Sequence, residues 1–383
     1  VSENLSSSAI ALVEPWACVE NAYASKERTG IKKDGQMLIV ADAGVTEESL
    51  GDLFENYGKP AQMTWVSKSQ FSGLADTTYD DVIYFGSDAE IAEALFSKVG
   101  TNGLLNIVLC GGRFDRDVVT MVGRVHYGGI RIIGTTGSDP AESMETIPET
   151  DEIRPGDKIN VIGAGGPMGL MHVIRNICQG FEGVSVTGSD VDDNRLAILT
   201  KIAAPLAQKN GIEYRSLNPT KEESAETFDY IALMAPIPAL VAASVRNASE
   251  KGLINIFAGI PATVSAEIDL NAYIEKRLYF IGTSGSTLDD MKRMLGKVES
   301  GQLDTNLSVA AVCGLEGATD GIRAVENRTI AGKIIVYPAC RGLGLVTLEE
   351  LNEKLPKVGE RLSDGLWTKR AEQRLLESFA GQI

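Results

Sequence analysis

Basic residues are scarce in this chain. It has 36 Lys and Arg against 52 Asp and Glu, a formal charge of −16 over 383 residues. Such a field repels phosphate backbones and anionic headgroups, which argues against nucleic-acid and membrane-surface partners. Long apolar runs are missing too: stretches such as Ile231–Ala235 fall far short of the roughly 20 residues that a membrane span needs. Cysteine is sparse and odd in number, five residues at positions 18, 110, 178, 313 and 340 with no CxxC, so neither a disulfide framework nor a zinc knuckle is written here. Only two histidines occur, His126 and His172, and they do not have a metal-ligand spacing. The first twenty residues carry Glu3, Glu14 and Glu20 and lack the basic start of a secretory signal. The expectation is a cytoplasmic protein. Its first residue is Val1 rather than Met, as in a processed, truncated or internally numbered chain.

What is present is enough apolar material for real cores, 44% of residues, in a length that suits two or three domains. The chain also repeats itself. Gly103-Leu104-Leu105-Asn106-Ile107 returns 149 residues later as Gly252-Leu253-Ile254-Asn255-Ile256, and Ile133-Gly134-Thr135-Thr136-Gly137-Ser138 returns 148 residues later as Ile281-Gly282-Thr283-Ser284-Gly285-Ser286. Two matches at nearly one offset indicate a duplicated unit, with copies near 30–145 and 150–300.

In the second copy strands and helices alternate, the pattern of a doubly wound parallel sheet. Strands are expected at Lys158–Ile162, Val184–Thr187, Ile212–Arg215, Tyr230–Met234, Leu253–Phe257 and Leu278–Gly282. Helices are expected from Pro167 to Gly180, over Asn194–Asn210 and over Pro238–Glu250. The first copy is shorter by about one strand–helix pair, with strands at Met37–Ala41, Met63–Val66, Val82–Phe85, Leu105–Leu109 and Ile130–Ile133, and helices at Glu47–Tyr57 and Ala89–Val99. The fold class is therefore α/β: a Rossmann-type sheet duplicated in tandem, its first copy degenerate, followed by a small α+β part over 301–383. That last part should hold strands near Leu307–Val312 and Lys333–Tyr337 and a closing helix near Leu366–Phe379. The uncharged run Thr305–Val312 is expected to follow the last strand of the second sheet as an apolar edge.

The chemistry concentrates in Gly163-Ala164-Gly165-Gly166-Pro167-Met168-Gly169, between a strand and a helix. Glycines there let the backbone turn tightly and approach a pyrophosphate at the helix N-terminus. The best register runs Ala164-Gly165-Gly166-Pro167-Met168-Gly169 with Ala in the first glycine place; Gly163-Ala164-Gly165 is the rival. The next strand ends at Asp190, where a carboxylate can accept both ribose hydroxyls of NAD and would repel the 2′-phosphate of NADP, although Arg195 softens that discrimination. Ala258-Gly259 and Thr283-Ser284 follow later strands, at the ends where the nicotinamide half should lodge. No basic cluster stands out near this site. In the first copy the matching turn, Ala41-Asp42-Ala43-Gly44-Val45-Thr46, has one glycine and an acidic residue, so it is expected to pack rather than bind.

Several motifs resemble the medium-chain, zinc-type alcohol dehydrogenase superfamily, and within it the sorbose-1-phosphate reductase-like sugar-alcohol dehydrogenases. They are Gly166-Pro167-Met168-Gly169 after a strand, Asp190 followed by Asp192-Asp193-Asn194-Arg195-Leu196, Phe257-Ala258-Gly259, Gly282-Thr283-Ser284-Gly285-Ser286, Asp289-Asp290-Met291, Gly301-Gln302-Leu303, Gly332-Lys333-Ile334-Ile335-Val336-Tyr337, and the segment around Trp367. The likeness covers about 1–25 and 150–383. It implies an NAD-dependent oxidoreductase that acts on a polyol or sugar-phosphate alcohol, with zinc polarising the substrate oxygen. It also implies that 1–29 is the segment carrying the family's Glu-Pro motif, as Glu14-Pro15, that Glu14 is the zinc-shell carboxylate, and that a GroES-like segment with the other zinc ligands precedes the chain. Cys18, one helical turn from Glu14, reads first as a packed helix cysteine. The alternative function is a non-catalytic dinucleotide-binding sensor or assembly subunit. The expected partner is a small-molecule substrate, without nucleic acid or membrane, and the expected assembly is a monomer with internally paired repeats or a homodimer.

Overall fold

A computed structural model describes residues 2, 4–41, 44–222 and 224–380. Two helices open it, α1 (Ser7–Ala11) and α2 (Val13–Ala24). The first repeat then contributes β1 (Gln36–Val40), α3 (Gly51–Tyr57), β2 (Gln62–Val66), β3 (Tyr79–Phe85), α4 (Ala89–Leu95), β4 (Val99–Val108), β5 (Val118–Thr120), α5 (Gly123–Tyr127) and β6 (Arg131–Thr135). After a short helix, α6 (Ala141–Met144), the second repeat follows as β7 (Lys158–Ile162), α7 (Pro167–Gln179), β8 (Ser185–Ser189), α8 (Asp193–Asn210), β9 (Glu213–Leu217), β10 (Phe228–Leu233), α9 (Pro238–Asn247), β11 (Ala248–Ile256), β12 (Ala266–Ile268), α10 (Leu270–Glu275) and β13 (Tyr279–Ile281). Helix α11 (Leu288–Glu299) leads into β14 (Val309–Cys313), β15 (Lys333–Val336) and β16 (Val346–Thr347). Among the described residues no helix is long and apolar enough to cross a membrane.

Both main sheets are wholly parallel, as continuous apolar strands covered on two faces require. The second has the order β13-β11-β10-β7-β8-β9 and the first β2-β1-β3-β4-β6. Among the described residues the first therefore lacks a counterpart of β9, and in each sheet the winding reverses beside the opening strand. The duplication reaches backbone detail. Asn102 (φ 56°) and Lys251 (φ 59°) hold the same left-handed conformation just before Gly103 and Gly252, and the strand pairing shifts register beside both. This bulge corrects one expectation twice. The helix expected over Ala89–Val99 ends at Leu95 and β4 begins at Val99, ahead of Leu105. The helix expected to reach Glu250 ends at Asn247, and β11 begins at Ala248, ahead of Leu253. A single left-handed residue lets each strand start early and kink into line.

The repeats are joined to each other. β5 and β12 occupy equivalent places and pair antiparallel, with Thr120 opposite Ala266, Val119 opposite Glu267 and Val118 opposite Ile268. β6 and β13, the last strands of the two sheets, lie side by side, and the Tyr273 hydroxyl donates to the Ile132 carbonyl at 2.8 Å. One core runs through the join, with Val118, Val125 and Ile132 packed together with Ile268, Tyr273 and Phe280.

The run after the second sheet departs from its expected place. Thr305–Ser308 is a short 3-10 turn, and β14 is the middle strand of a separate sheet, β15-β14-β16, rather than an apolar edge. Its uncharged residues are apolar because strands cover both sides of it. The closing helix spans Lys369–Phe379, capped by the Thr368 side chain.

Candidate functional site

α7 begins as a phosphate-binding helix should. Gly166 is its N-cap in extended conformation, with no side chain capping the first turn, and Pro167 takes the first helical position, where a missing N–H costs nothing. The first-turn N–H groups of a helix have no intrahelical acceptor, so an anion can use them. The tight turn itself falls at Gly163, whose φ is 84°, one residue ahead of the preferred register, while Ala164 is fully buried. Close helix–strand packing falls to Gly169, where a Cβ would lie 2.3 Å from the Gly163 carbonyl oxygen. The glycine roles are thus divided between the two registers.

Asp190 follows β8 and stands over this turn. The Gly165 N–H donates to its Oδ2 at 2.9 Å and the Asp192 N–H to its Oδ1 at 3.1 Å. A side chain at Gly165 would strike the Arg195 Cβ at 2.5 Å, so the turn, the carboxylate and Arg195 form one packed unit. Arg195 reaches away to the Arg328 carbonyl at 2.5 Å.

Lys333, quoted above only as part of the Gly332–Tyr337 motif, reaches this site. It begins β15, yet its Nζ lies 3.5 Å from the Met168 sulfur, over the start of α7. Burial pulls its ammonium below the usual lysine range, and the nearby Cys18 and Glu14 oppose that pull. A cation over a helix N-terminus strengthens an anion site. The two residues are more than 160 positions apart in sequence, so no local pattern shows that they meet.

On the other side of the reversal, Ala258 and Gly259 follow β11 and Thr283 and Ser284 follow β13. Both pairs therefore lie outside strand C-terminal ends of the same sheet, like the glycine turn. Ala258 is buried and Gly259 and Ser284 are exposed. Among the described residues the buried Thr283 hydroxyl has no hydrogen-bond partner, an orphan in the place expected for the nicotinamide half.

Glu14 lies exposed on the first turn of α2. Cys18 Sγ and Ser286 Oγ each donate to its Oε1 at 3.4 Å, and the Asn21 amide ties α2 to the Gly285 carbonyl at 3.1 Å. These contacts place Glu14 beside the Thr283–Ser286 loop. Cys18 is half-buried rather than sealed in the core; burial raises its thiol, the Ser286 hydrogen bond opposes and Glu14 adds to the rise. Zinc does not fit this group: one carboxylate and one thiol fall short of a tetrahedral ligand set, and the nearby Lys333 ammonium repels a cation. Among the described residues no three His, Cys, Asp or Glu side chains converge as ligands.

The two histidines are built into packing. His172 is fully buried on α7, its Nδ1 2.8 Å from the Tyr23 hydroxyl, and burial, aided by Arg175, pushes it down to about 3. His126, on α5 of the first repeat, bonds the Ile256 carbonyl through Nδ1 at 3.0 Å. In the first repeat's own turn, Asp42 and Ala43 lie outside the described residues. Beyond them Thr46 and Ser49 cap each other's backbone N–H groups.

No family model matches the chain. The YggP protein of Escherichia coli, described as uncharacterized, is 29% identical over 252 residues, covering 60% of this chain and 59% of that protein. The L-sorbose 1-phosphate reductase of Klebsiella pneumoniae is 24% identical over 234 residues, covering 58% and 56%. The chain thus spans little more than half the length of these relatives. Among solved structures, the alcohol dehydrogenase TADH from Thermus sp. is 21% identical with a TM-score of 0.39, covering 48% of this chain and 54% of that one. The 2R,3R-butanediol dehydrogenase from Bacillus subtilis is 18% identical with a TM-score of 0.40, covering 49% and 52%. A sorbose-1-phosphate reductase, the kind of protein that the motifs resemble, is thus among the relatives found by sequence comparison.

Proposed function

We propose that the second repeat binds a dinucleotide, NAD in preference to NADP, and that the chain is all or part of a cytoplasmic oxidoreductase acting on a polyol or sugar-phosphate alcohol. The observation that carries the dinucleotide reading is the Asp190 carboxylate held by the Gly165 N–H above an uncapped helix start. A ribose with free 2′- and 3′-hydroxyls can donate to that carboxylate, whereas a 2′-phosphate meets its charge. The α7 first turn and Lys333 would hold the pyrophosphate. The Thr283 hydroxyl and the backbone of Ala258-Gly259 would orient the nicotinamide half. NAD, when bound, supplies the hydride acceptor. The substrate class rests on the likeness to a sorbose-1-phosphate reductase and on no residue of this chain.

Calorimetric titration with NAD and NADP tests the cofactor. NAD should bind several-fold more tightly, and equal or tighter NADP binding would sink the Asp190 assignment. One observation favours a second reading, a dinucleotide-binding subunit without catalysis of its own: the neighbours of Glu14 do not make a zinc site. A turnover screen on polyols and sugar phosphates, run beside a metal-content assay, separates the two. Retained NAD binding with neither metal nor turnover supports the second.

A further inference from the structure

The join between the repeats has an approximate two-fold character. Residues equivalent by the 148-residue offset exchange places across it. Gly134 of β6 lies against Ile274 of α10, and Gly282 after β13 lies against His126 of α5. A Cβ at either glycine would meet the opposing residue at 3.0 Å or less, so each repeat brings a helix up to the last strand of the other. Only one of these two contacts reaches a complete dinucleotide cleft. α5 delivers His126 and Tyr127 to the strand ends where Phe257-Ala258-Gly259 and Gly282-Thr283 emerge.

Resting on the dinucleotide reading above, we propose that the first repeat completes the cofactor site of the second, as a second subunit would, with Tyr127 as the residue that contacts the nicotinamide half. The Tyr127 hydroxyl lies against Gly259, 3.0 Å from where a Cβ there would stand, and the residue is 53% exposed. Gly259 leaves the space that lets the hydroxyl approach the backbone after β11. His126 is the positioning residue. Its Nδ1–H donates to the Ile256 carbonyl at 3.0 Å, and its ring lies nearly perpendicular to the rings of Tyr127, at 4.5 Å, and Phe257, at 6.4 Å. Burial lowers its basicity, against the pull of that hydrogen bond, which keeps the ring neutral and suited to packing against an aromatic neighbour. At the reciprocal positions the second repeat presents Ile274 and Glu275, and Glu275 is engaged by Arg113. The pseudo-dimer is therefore one-sided. The nicotinamide carboxamide, with both a donor and an acceptor, is the part of the ligand that suits a tyrosine hydroxyl.

The test uses the full chain and two ligands, NAD and ADP-ribose, which lacks only the nicotinamide. By calorimetry Tyr127→Phe should weaken NAD about three- to tenfold, the worth of one hydrogen bond, and leave ADP-ribose unchanged. The emission of bound NADH should also differ between the wild type and Tyr127→Phe. Unchanged affinity for both ligands would overturn the proposal, as would an equal loss for both, since that would put Tyr127 at the adenine half or in the fold. If the wild type binds neither ligand, the dinucleotide reading itself falls and takes this proposal with it. If it binds both, only the role of the first repeat is on trial.

Discussion

The two repeats share strand order, a left-handed bulge and reciprocal contacts, yet they treat the start of their first helix in opposite ways. In the second, Gly166 caps α7 without a side chain, and the helix runs unbroken from Pro167 to Gln179. In the first, Thr46 and Ser49 form a reciprocal capping box over a 3-10 turn before the seven-residue α3 begins. A capping box satisfies the donors that a phosphate would need. The lesson is that a Rossmann-type unit can keep its architecture after its ligand-facing donors are turned inward. Packing selects the sheet, and the first turn decides which backbone donors stay open.

The helix after the first turn differs as well. Arg175 of α7 is buried against Glu20 and Glu152, 3.1 and 2.5 Å away, and stacks over the Tyr23 ring at 4.2 Å. Burial raises Glu20, but the Arg175 and Lys297 charges outweigh that and hold its carboxyl down to about 2. The strongest way to break the comparison is Arg175→Met, which takes the cation from Glu152 and leaves Glu20 to Lys297 alone. It should cost about 3–5 kcal/mol of stability in denaturant unfolding. The contribution of Glu20 to wild-type stability is present above the ordinary Glu range and is lost as pH falls toward about 2, so the wild-type margin over the variant should shrink in acid.

Asp190→Ala sharpens the comparison from the ligand side. It removes charge-assisted contacts worth about 1.5–3 kcal/mol, so NAD affinity should fall roughly ten- to a hundredfold. NADP should lose less, because a charge hostile to its phosphate leaves at the same time. A loss equal for both cofactors in parallel titrations would remove the ribose role.

The seam between the repeats holds a buried acid that titrates the other way from Glu20. Asp151 is fully buried, and neither of its oxygens receives an N–H or hydroxyl donor. Its contact is Glu27, which is paired bidentately with Arg131 at 2.8 Å and bonded by the Tyr279 hydroxyl at 2.7 Å. Two carboxyl groups can share a hydrogen bond only if one carries a proton. Burial and the Glu27 charge raise Asp151, against the attraction of Arg131, so Asp151 carries it. The native state then binds a proton that the unfolded chain releases above the ordinary Asp range. Stability from this group is greatest in acid and falls as pH rises, until Asp151 itself ionises. Asp151→Asn, whose amide can make the same donation, should stabilise the protein by about 1–3 kcal/mol in mildly alkaline buffer. The gain should shrink toward pH 4; thermal melts across pH in which the gain is constant would refute the shared proton.

The smallest expected effect belongs to the first repeat's own cap. Thr46→Ala should cost about 1 kcal/mol, as lost N-caps do, and leave NAD binding in the second repeat unchanged. A melt compared with an NAD titration of the same variant checks both halves.

Much of this was legible in the chain because it is local. The repeat at 149 residues, the strand–glycine–Pro167 transition and Asp190 at the next strand end all follow from side-chain type and spacing, which fix backbone conformation within a few residues. The early starts of β4 and β11 were missed because Asn102 and Lys251 are ordinary residues whose left-handed backbone comes from strand pairing, not from their own preference. The run Thr305–Val312 read as an exposed edge because a sequence records that a strand is apolar but not which strands flank it.

By itself, then, the sequence determined that the chain is a tandem α/β protein, which of its copies keeps an open glycine turn, and that Asp190 closes the strand after it. Tertiary structure alone decided that β5 and β12 join the copies antiparallel, that Lys333 comes to rest over the start of α7, and that His126 and Tyr127 of one repeat stand at the cleft of the other. The physical reason is range. Helix caps, turns and strand periodicity are settled by energies between near neighbours in the chain, whereas these contacts exist only after buried apolar surface has drawn together segments more than a hundred residues apart.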